Sequence, residues 1–228
     1  MPCYRITAVF SKSATRPGKA LIELDLDGSN ILIPLSKAST IKGYVSGDLR
    51  QIPRWLTNNP SGFLLRQEAL QALIAMGEAA KADGVQLVVA SAYRSYEVQA
   101  ANFQNAVRVY GSPEQANRYV ARPGQPEHQM GTAVDFGGTS SDWKPAFAGT
   151  SQGSWLKANS YRFGFVLSYP QGMEHITGYT YEPWHFRYVG VEVARAITNS
   201  GLTPLEYFKL SIMNNPLSQR FYHKGNGQ

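Results

Sequence analysis

Two short segments of the sequence contain the side chains that could carry out a hydrolytic reaction. The first runs from Glu127 to Asp135 and the second from Glu182 to Tyr188, and together they hold two imidazoles and three carboxylates. A catalytic zinc site needs three nitrogen or oxygen ligands, an open position for water, and a carboxylate that takes the proton of that water. The two segments together contain this set.

We interpret His128, Asp135 and His185 as the three ligands of a zinc ion. Two neutral imidazoles and one carboxylate suit a borderline cation and leave the centre at about +1, so the pKa of a bound water can approach about 7. Glu182 precedes His185 by three residues and is then the general base. Glu127 is left as a solvated neighbour of the first ligand.

The spacing alone does not decide this assignment. A single histidine is more often structural than a ligand, and His-x6-Asp is not a familiar local zinc pattern. His175 and His223 fit the structural interpretation, since one lies in a glycine-flanked loop and the other in a polar tail. His128 and His185 fit it less well, because each has a carboxylate close by and leads into an apolar or aromatic run that would bury it.

Four motifs strengthen the assignment. Residues 91–96 read SAYRSY and are followed by Gln99, residues 122–135 read RPGQPEHQMGTAVD, residues 164–170 read GFVLSYP, and residues 177–190 read TGYTYEPWHFRYVG. In this order they resemble the VanY-type D-alanyl-D-alanine carboxypeptidases, which are zinc peptidases of the fold shared by lysostaphin and sonic hedgehog. The resemblance extends from about residue 44 to about residue 208.

The resemblance implies the same zinc ligands, His128, Asp135 and His185, and places the catalytic glutamate at Glu182. The implied activity is removal of the terminal D-alanine from peptidoglycan stem peptides, as a D,D- or L,D-carboxypeptidase with Zn²⁺ as cofactor. One alternative is an endopeptidase that cuts within the stem or a cross-link. Another is a non-catalytic wall-binding domain of the same fold, which the presence of Glu182 argues against, because a binding domain needs no base.

Substrate contacts are also implied by position. Arg94 is expected to contact the scissile carbonyl oxygen or the substrate carboxylate, Gln99 to help hold the end of the substrate, and Tyr169 to line the pocket. Two positions depart from the family pattern. Pro126 stands where serine is often found, and Ser168 stands where arginine is often found. Neither change touches the predicted zinc ligands, but both affect the expected substrate contacts.

Composition indicates an ordinary globular protein. The chain has 228 residues, of which 43% are hydrophobic and 17% charged, so it can bury a real core. The formal charge of +6 favours weak attraction to anionic surfaces such as cell-wall polymers. The basic residues are scattered without a Lys and Arg run, which argues against a nucleic-acid partner. The single cysteine, Cys3, excludes an internal disulfide framework.

The sequence contains no apolar stretch of the length that a membrane span needs, and its first residues lack the apolar core of a signal peptide. The implied peptidoglycan substrate nevertheless favours a periplasmic or cell-wall location. Oligomeric state is not predicted by any pattern in the sequence.

The N-terminal residues differ from the rest of the chain in their pattern of apolar and polar residues. The segment 21–27 alternates between apolar and acidic residues, and a turn at residues 27–30 leads to a second apolar run at residues 31–33, which predicts a β-hairpin. We therefore expect a small β-rich N-terminal subdomain at residues 1–45, a catalytic domain at 46–213 and a polar tail at 214–228. A packing extension is a simpler role for the first part than a wall-binding or partner-binding module.

The elements that must position the site follow from periodicity and capping signals. Strands are expected at residues 85–90, 132–136, 165–169 and 181–189, and helices at 63–82, 96–110, 112–121, 154–162, 190–200 and 203–210. Glu182 and His185 would point to opposite faces of a regular strand, so we predict a bend at Pro183-Trp184. This pattern predicts an α+β fold with an antiparallel sheet and helices packed on one side.

Overall fold

The computed structural model describes residues 24–25, 30–37, 39–41, 43–125 and 127–213. Its strands are β1 (Leu24–Asp25), β2 (Ser39–Thr40), β3 (Leu49–Gln51), β4 (Leu64–Arg66), β5 (Val89–Ser91), β6 (Ala133–Phe136), β7 (Phe165–Leu167) and β8 (His185–Tyr188). Its α-helices are α1 (Gln67–Ala82), α2 (Tyr96–Tyr110), α3 (Pro113–Ala116), α4 (Ser151–Asn159), α5 (Glu174–Thr177), α6 (Val191–Ser200) and α7 (Pro204–Met213).

A four-stranded sheet with the order β5-β6-β8-β7 forms the centre of the domain. Each neighbouring pair of strands in it is antiparallel, and Asp135 on β6 lies directly opposite His185 on β8. The two middle strands are buried along their whole length. The predicted α+β class with an antiparallel sheet is therefore confirmed.

Because side chains alternate along a strand, one face of the sheet packs against the core and the other carries the candidate ligands. Val134, Phe136 and Phe186 belong to the main hydrophobic core, which also contains the buried side of α1. Asp135 and His185 alternate with them and point to the opposite face. Burial of the apolar face against α1 thus fixes which face carries the candidate ligands.

Helix α1 begins later than its periodicity predicts. Residues 64–66 of the expected helix form β4 instead, which pairs with β3 so that Leu49 lies opposite Arg66. Further bonds hold this segment extended, since Arg66 N–H donates to the carbonyl of Gly131 and Tyr93 N–H donates to that of Leu64. The predicted apolar stripe is buried in full: Leu65, Ala69, Leu73, Met76 and Ala80.

Several other boundaries differ from the predictions. The strand expected at residues 85–90 starts only at Val89, because Val88 N–H donates to the side chain of Gln152. Helix α4 starts at Ser151 and is capped by Thr150 rather than by Ser154. Helix α3 stops at Ala116, short of the predicted end at residue 121. In contrast, α2 has the predicted bounds 96–110.

The last two helices close one edge of the sheet. Val166 on β7 packs with Ala194 and Ile197 of α6 and with Phe208 of α7. Thr203 and Glu206 form the capping box predicted for α7, in which Thr203 N–H donates to the Glu206 carboxylate and Glu206 N–H donates to the Thr203 hydroxyl. Among the described residues, no helix is long and apolar enough to cross a membrane.

The predicted N-terminal hairpin is wrong where the structure describes it. Strand β1 exists, but it pairs in parallel with β2, and residues 31–33 lie outside any strand. Residues 33, 35 and 41 are buried against Met130 of the domain. The remainder of the expected hairpin, Cys3, and the tail at 214–228 with His223 lie outside the described residues.

Candidate metal centre

The two central strands and one tight turn bring the three predicted ligands together. Asp135 and His185 face each other across β6 and β8, and His128 lies in the 3-10 turn Glu127–Met130 just before β6. Gly131 joins that turn to the strand with φ 69°, a conformation that favours glycine. One ligand atom from each of the three side chains lies within 4.8 Å of the others, and all three residues are buried.

His128 presents a free lone pair to this centre. Its Nδ1 lies 2.6 Å from the carbonyl oxygen of Ala92, and since a carbonyl only accepts, Nδ1 carries the hydrogen. Its Nε2 lies 3.0 Å from Asp135 Oδ2 and has no hydrogen-bond partner within the described chain. Burial and the charge of Arg94 together lower the pKa of His128 to about 4, although the Asp135 carboxylate acts in the opposite direction.

This geometry tests whether the residues fit a metal ion. A neutral imidazole nitrogen and a carboxylate oxygen are both acceptors, and they face each other at 3.0 Å in a buried place. Such a pair is unfavourable unless a cation lies between the two atoms. The donor set of two imidazoles and one carboxylate suits zinc. The residues present therefore fit the predicted ion.

His185 is held at both ring nitrogens. Nδ1 lies 2.8 Å from Asp135 Oδ1, and Nε2 lies 3.0 Å from Glu127 Oε2. Burial on its own would lower the pKa of His185, but the Asp135 and Glu127 carboxylates raise it to about 10. A divalent cation can replace the proton on Nδ1, because metal ligands must be deprotonated. The hydrogen on Nε2 then remains there and is donated to Glu127.

Glu127 is not the solvated neighbour that the sequence suggested. It is 5% exposed and accepts hydrogen bonds from Arg187 at 2.9 Å and from the Ser168 hydroxyl at 2.5 Å. Burial would raise its pKa, but Arg187 and His185 lower it to about 2. The alternation of β8 was the available signal, since Arg187 lies two residues after His185 and so shares its face.

Glu182 lies beside the three candidate ligands because the chain bends as predicted. Residues 183–184 form a turn that ends where β8 begins, closed by a 3.1 Å hydrogen bond from His185 N–H to the carbonyl of Glu182. Glu182 Oε2 lies 3.9 Å from His185 Nδ1. Burial raises the pKa of Glu182 to about 7, with Asp135 and Glu127 adding to the effect.

The predicted substrate residues line the same cavity, which has a volume of about 690 Å³. Arg94 follows the end of β5 by three residues. One of its guanidinium nitrogens lies 3.7 Å from Asp135 Oδ2, and its buried Nε has no hydrogen-bond partner in the part of the chain that is described. Gln99 donates to the carbonyl of Ala121 at 2.7 Å. Tyr169 is partly buried, and its ring centroid lies 4.8 Å from that of His185.

The two departures from the family pattern have different outcomes. Ser168 donates its hydroxyl to Glu127 and is buried, so it supports the centre from behind. Pro126 lies outside the described residues. His175 is exposed on α5 and lies apart from the cluster of candidate ligands, in agreement with the structural interpretation.

Two curated relatives of this chain are both named as carboxypeptidases. YodJ of Bacillus subtilis, which carries the name of a carboxypeptidase, is 44% identical over 147 residues, covering 64% of this chain and 54% of its own length. A D-alanyl-D-alanine carboxypeptidase of Enterococcus faecalis is 41% identical over 138 residues, covering 57% of this chain and 50% of its own. The chain thus spans about half the length of these relatives.

Solved structures similar to this chain are also described as carboxypeptidases or peptidases. The LdcB LD-carboxypeptidase superimposes with a TM-score of 0.76 at 37% identity, covering 84% of this chain and 92% of its own. A D,D-pentapeptidase VanY mutant in complex with Zn(II) superimposes with a TM-score of 0.65 at 34% identity, covering 77% and 97%. The sequence profile of VanY, D-alanyl-D-alanine carboxypeptidase, matches residues 62–191, which is more than half of the chain. On these grounds the chain belongs to the VanY family of D-alanyl-D-alanine carboxypeptidases.

Proposed function

We propose that the chain is a zinc-dependent carboxypeptidase that removes the terminal D-alanine from peptidoglycan stem peptides. The observation that carries this proposal is the buried cluster of His128, Asp135 and His185, with acceptor atoms that face one another and Glu182 beside them. Membership of the VanY family supports it. The zinc-bound VanY structure and the relative named D-alanyl-D-alanine carboxypeptidase support the metal and the substrate class.

In this proposal His128, Asp135 and His185 hold the ion, which when bound polarises the scissile carbonyl and lowers the pKa of water. Glu182 takes the proton from the attacking water and returns it to the amine that leaves. Its pKa of about 7 in the metal-free protein suits a group that must do both near neutral pH. Water adds to the carbonyl carbon, the carbon–nitrogen bond breaks, and a carboxylic acid and an amine result.

Arg94 is the proposed partner for negative charge on the substrate. Its guanidinium lines the cavity next to Asp135 and can offset the charge that develops on the carbonyl oxygen or bind the free carboxylate through charge-assisted hydrogen bonds. The proposed roles of Gln99 and Tyr169 are contacts further along the bound peptide, since both line the same cavity.

The alternatives make different demands on the site. An endopeptidase would accept a substrate that continues past the scissile bond and would need no recognition of a carboxylate. A wall-binding domain would need neither the base nor the ion. We further propose that residues 46–213 form the catalytic domain and that the protein acts at the cell wall, where this substrate occurs.

Matched substrates distinguish a carboxypeptidase from an endopeptidase. We expect a stem pentapeptide or tetrapeptide with a free terminus to lose one D-alanine, and its C-terminal amide to be cut about tenfold more slowly or worse, since a buried donor left poorly paired costs about 1–3 kcal/mol. The Arg94→Lys variant should also cut the free acid slowly, because lysine keeps the charge but lacks the planar fork. Equal rates on acid and amide would support the endopeptidase instead.

A further inference from the structure

Arg187 is a fully buried cation that the proposed reaction does not use. One of its terminal nitrogens donates to Glu127 Oε1 at 2.9 Å. The other donates to two backbone carbonyls of the N-terminal part of the chain, those of Ile31 and Ile33, at 2.8 Å each. Its guanidinium also lies 5.1 Å from the ring centroid of Phe208. A single side chain thus joins residues 31–33 to the polar network behind the candidate metal centre.

Glu127 connects Arg187 to His185, one of the predicted zinc ligands. Its Oε2 lies 3.0 Å from Nε2 of His185, the nitrogen that points away from Asp135. A carboxylate that accepts from the outer nitrogen of a ligating histidine fixes both the tautomer and the ring orientation. Arg187 holds Glu127 in place, so the carbonyls of Ile31 and Ile33 help to determine how His185 faces the centre.

Three further N-terminal residues, Lys37, Ile41 and Tyr44, hold the loop and the turn that carry His128. Gln129 follows this histidine directly and donates its amide to the carbonyls of Ile41 and Tyr44, at 3.1 and 3.2 Å. Ile41 N–H donates to the carbonyl of Gly124 at 2.8 Å, and the Gln125 amide donates to the carbonyl of Lys37 at 2.6 Å. These bonds fix the loop on both sides of residue 128.

Apolar packing secures the contact. Met130 ends the His128 turn and is buried in one cluster with Ile33, Leu35 and Ile41. Ile41 is 1% exposed and Met130 is fully buried. Residues 31–37, 39–41 and 43–44, here named the support segment, therefore lie against both ligand-bearing elements, through Arg187 on one side and through Gln129 and Met130 on the other.

We propose that the support segment is a positioning element of the metal centre, which orients His185 through Arg187 and Glu127 and holds the His128 turn through Gln129 and Met130. The inference rests on the proposed zinc function. It assigns the N-terminal residues a task different from that of a separate binding module, because their backbone groups take part in the network around the ligands.

Two matched truncations of buried side chains test this proposal in the full chain. Ile41→Ala loosens the support segment, whereas Met76→Ala opens a similar cavity in α1, on the other face of the sheet. Zinc dissociation constants are measured by chelator competition well below the melting temperature of each variant. Loss of a residue that supports a ligand typically weakens metal binding about 10-fold to 100-fold. We expect the zinc dissociation constant to rise about tenfold or more in Ile41→Ala and to stay within about twofold of wild type in Met76→Ala.

A third variant, Arg187→Lys, tests the contacts through which the support segment reaches His185. Lysine can keep the charge next to Glu127, but it lacks the fork that reaches both carbonyls, so the zinc dissociation constant should again rise about tenfold. A second readout uses the metal-free protein: solvent exchange of the His185 Nε2 hydrogen, followed by NMR, should be slow in wild type and Met76→Ala and faster in Ile41→Ala and Arg187→Lys.

The outcomes separate the two proposals. Equal zinc affinity and equal exchange in Ile41→Ala and Met76→Ala would overturn the positioning role, because general loosening would then explain any change. Absence of zinc binding in wild type would instead contradict the proposed function, and the exchange measurement on the metal-free protein would still decide whether the support segment holds His185.

Discussion

At the scale of single residues, Glu182 is the side chain whose chemistry is most directly set by burial. Its pKa of about 7 lies well above the ordinary value of 4.5. In the Glu182→Gln variant the amide is nearly isosteric but cannot take a proton, and the ligands are unchanged. We expect zinc content and fold to be kept while turnover falls about 10²-fold or more. Steady-state kinetics with metal analysis of the same samples provides the check; turnover within a few-fold of wild type would place the base elsewhere.

The same carboxyl predicts how stability depends on pH in the metal-free protein. Because folding raises its pKa from 4.5 to about 7, its contribution to stability is fully present below about pH 4.5 and is lost as the pH rises through about 7. Relative to Glu182→Gln, wild type should lose about 1–3 kcal/mol of unfolding free energy between about pH 5 and about pH 8. Chemical denaturation of both proteins with a chelator present measures this difference, and parallel pH profiles would show that the carboxyl is not perturbed.

The residue types suggested His128, Asp135 and His185 as ligands, but their spacing did not decide the assignment, and the family resemblance was needed to strengthen it. The network behind them could not be predicted in the same way. Glu127 lies 60 residues from Arg187 and 41 from Ser168, so only the strand pairing of the folded chain brings these groups together. The sequence suggested that Glu127 is a solvated neighbour, whereas its tertiary contacts bury it.

At the scale of elements, local signals were reliable where they act within a few residues. The bend at Pro183-Trp184 and the capping box of α7 follow from proline chemistry and from side-chain to backbone hydrogen bonds. The first turn of the predicted α1 and the N-terminal hairpin were wrong for a shared reason. Residues 64–66 and 39–40 find strand partners elsewhere in the chain, and pairing of this kind is not encoded in local periodicity.

Helix α4 offers a test of packing at this scale. A Cβ on Gly153 would lie 2.2 Å from the carbonyl oxygen of Phe147, whereas one on Gly149 would meet nothing within 4 Å. Gly153→Ala must therefore push α4 away from the preceding 3-10 turn, Pro145–Gly149, and we expect a loss of about 1–3 kcal/mol in unfolding free energy. Gly149→Ala is the matched control and should change it by less than about 0.5 kcal/mol. Thermal and denaturant unfolding of both variants give the comparison, and equal stability would contradict the packing described for α4.

At the scale of the whole molecule, the sheet separates packing from chemistry. One face is filled by α1 and the main core, and the other holds the ligands, the cavity and the support segment. The sequence predicted an antiparallel sheet with helices packed on one side, and the alternation of apolar and functional residues on β6 and β8 accounts for the two faces. The role that we propose for the support segment was beyond prediction, since its contacts with Arg187 and Gln129 are made by backbone carbonyls, which carry no sequence signal.

We propose that this centre releases one D-alanine when zinc is bound. The most direct measurement is mass spectrometry of stem tetrapeptide and pentapeptide incubated with protein stripped by a chelator, with and without about one equivalent of zinc per chain. We predict loss of a single terminal D-alanine only when zinc is restored, and none with His185→Ala, which leaves two ligands, too few for a site that must also hold water. Cleavage in the middle of the stem, or equal cleavage without zinc, would contradict the account.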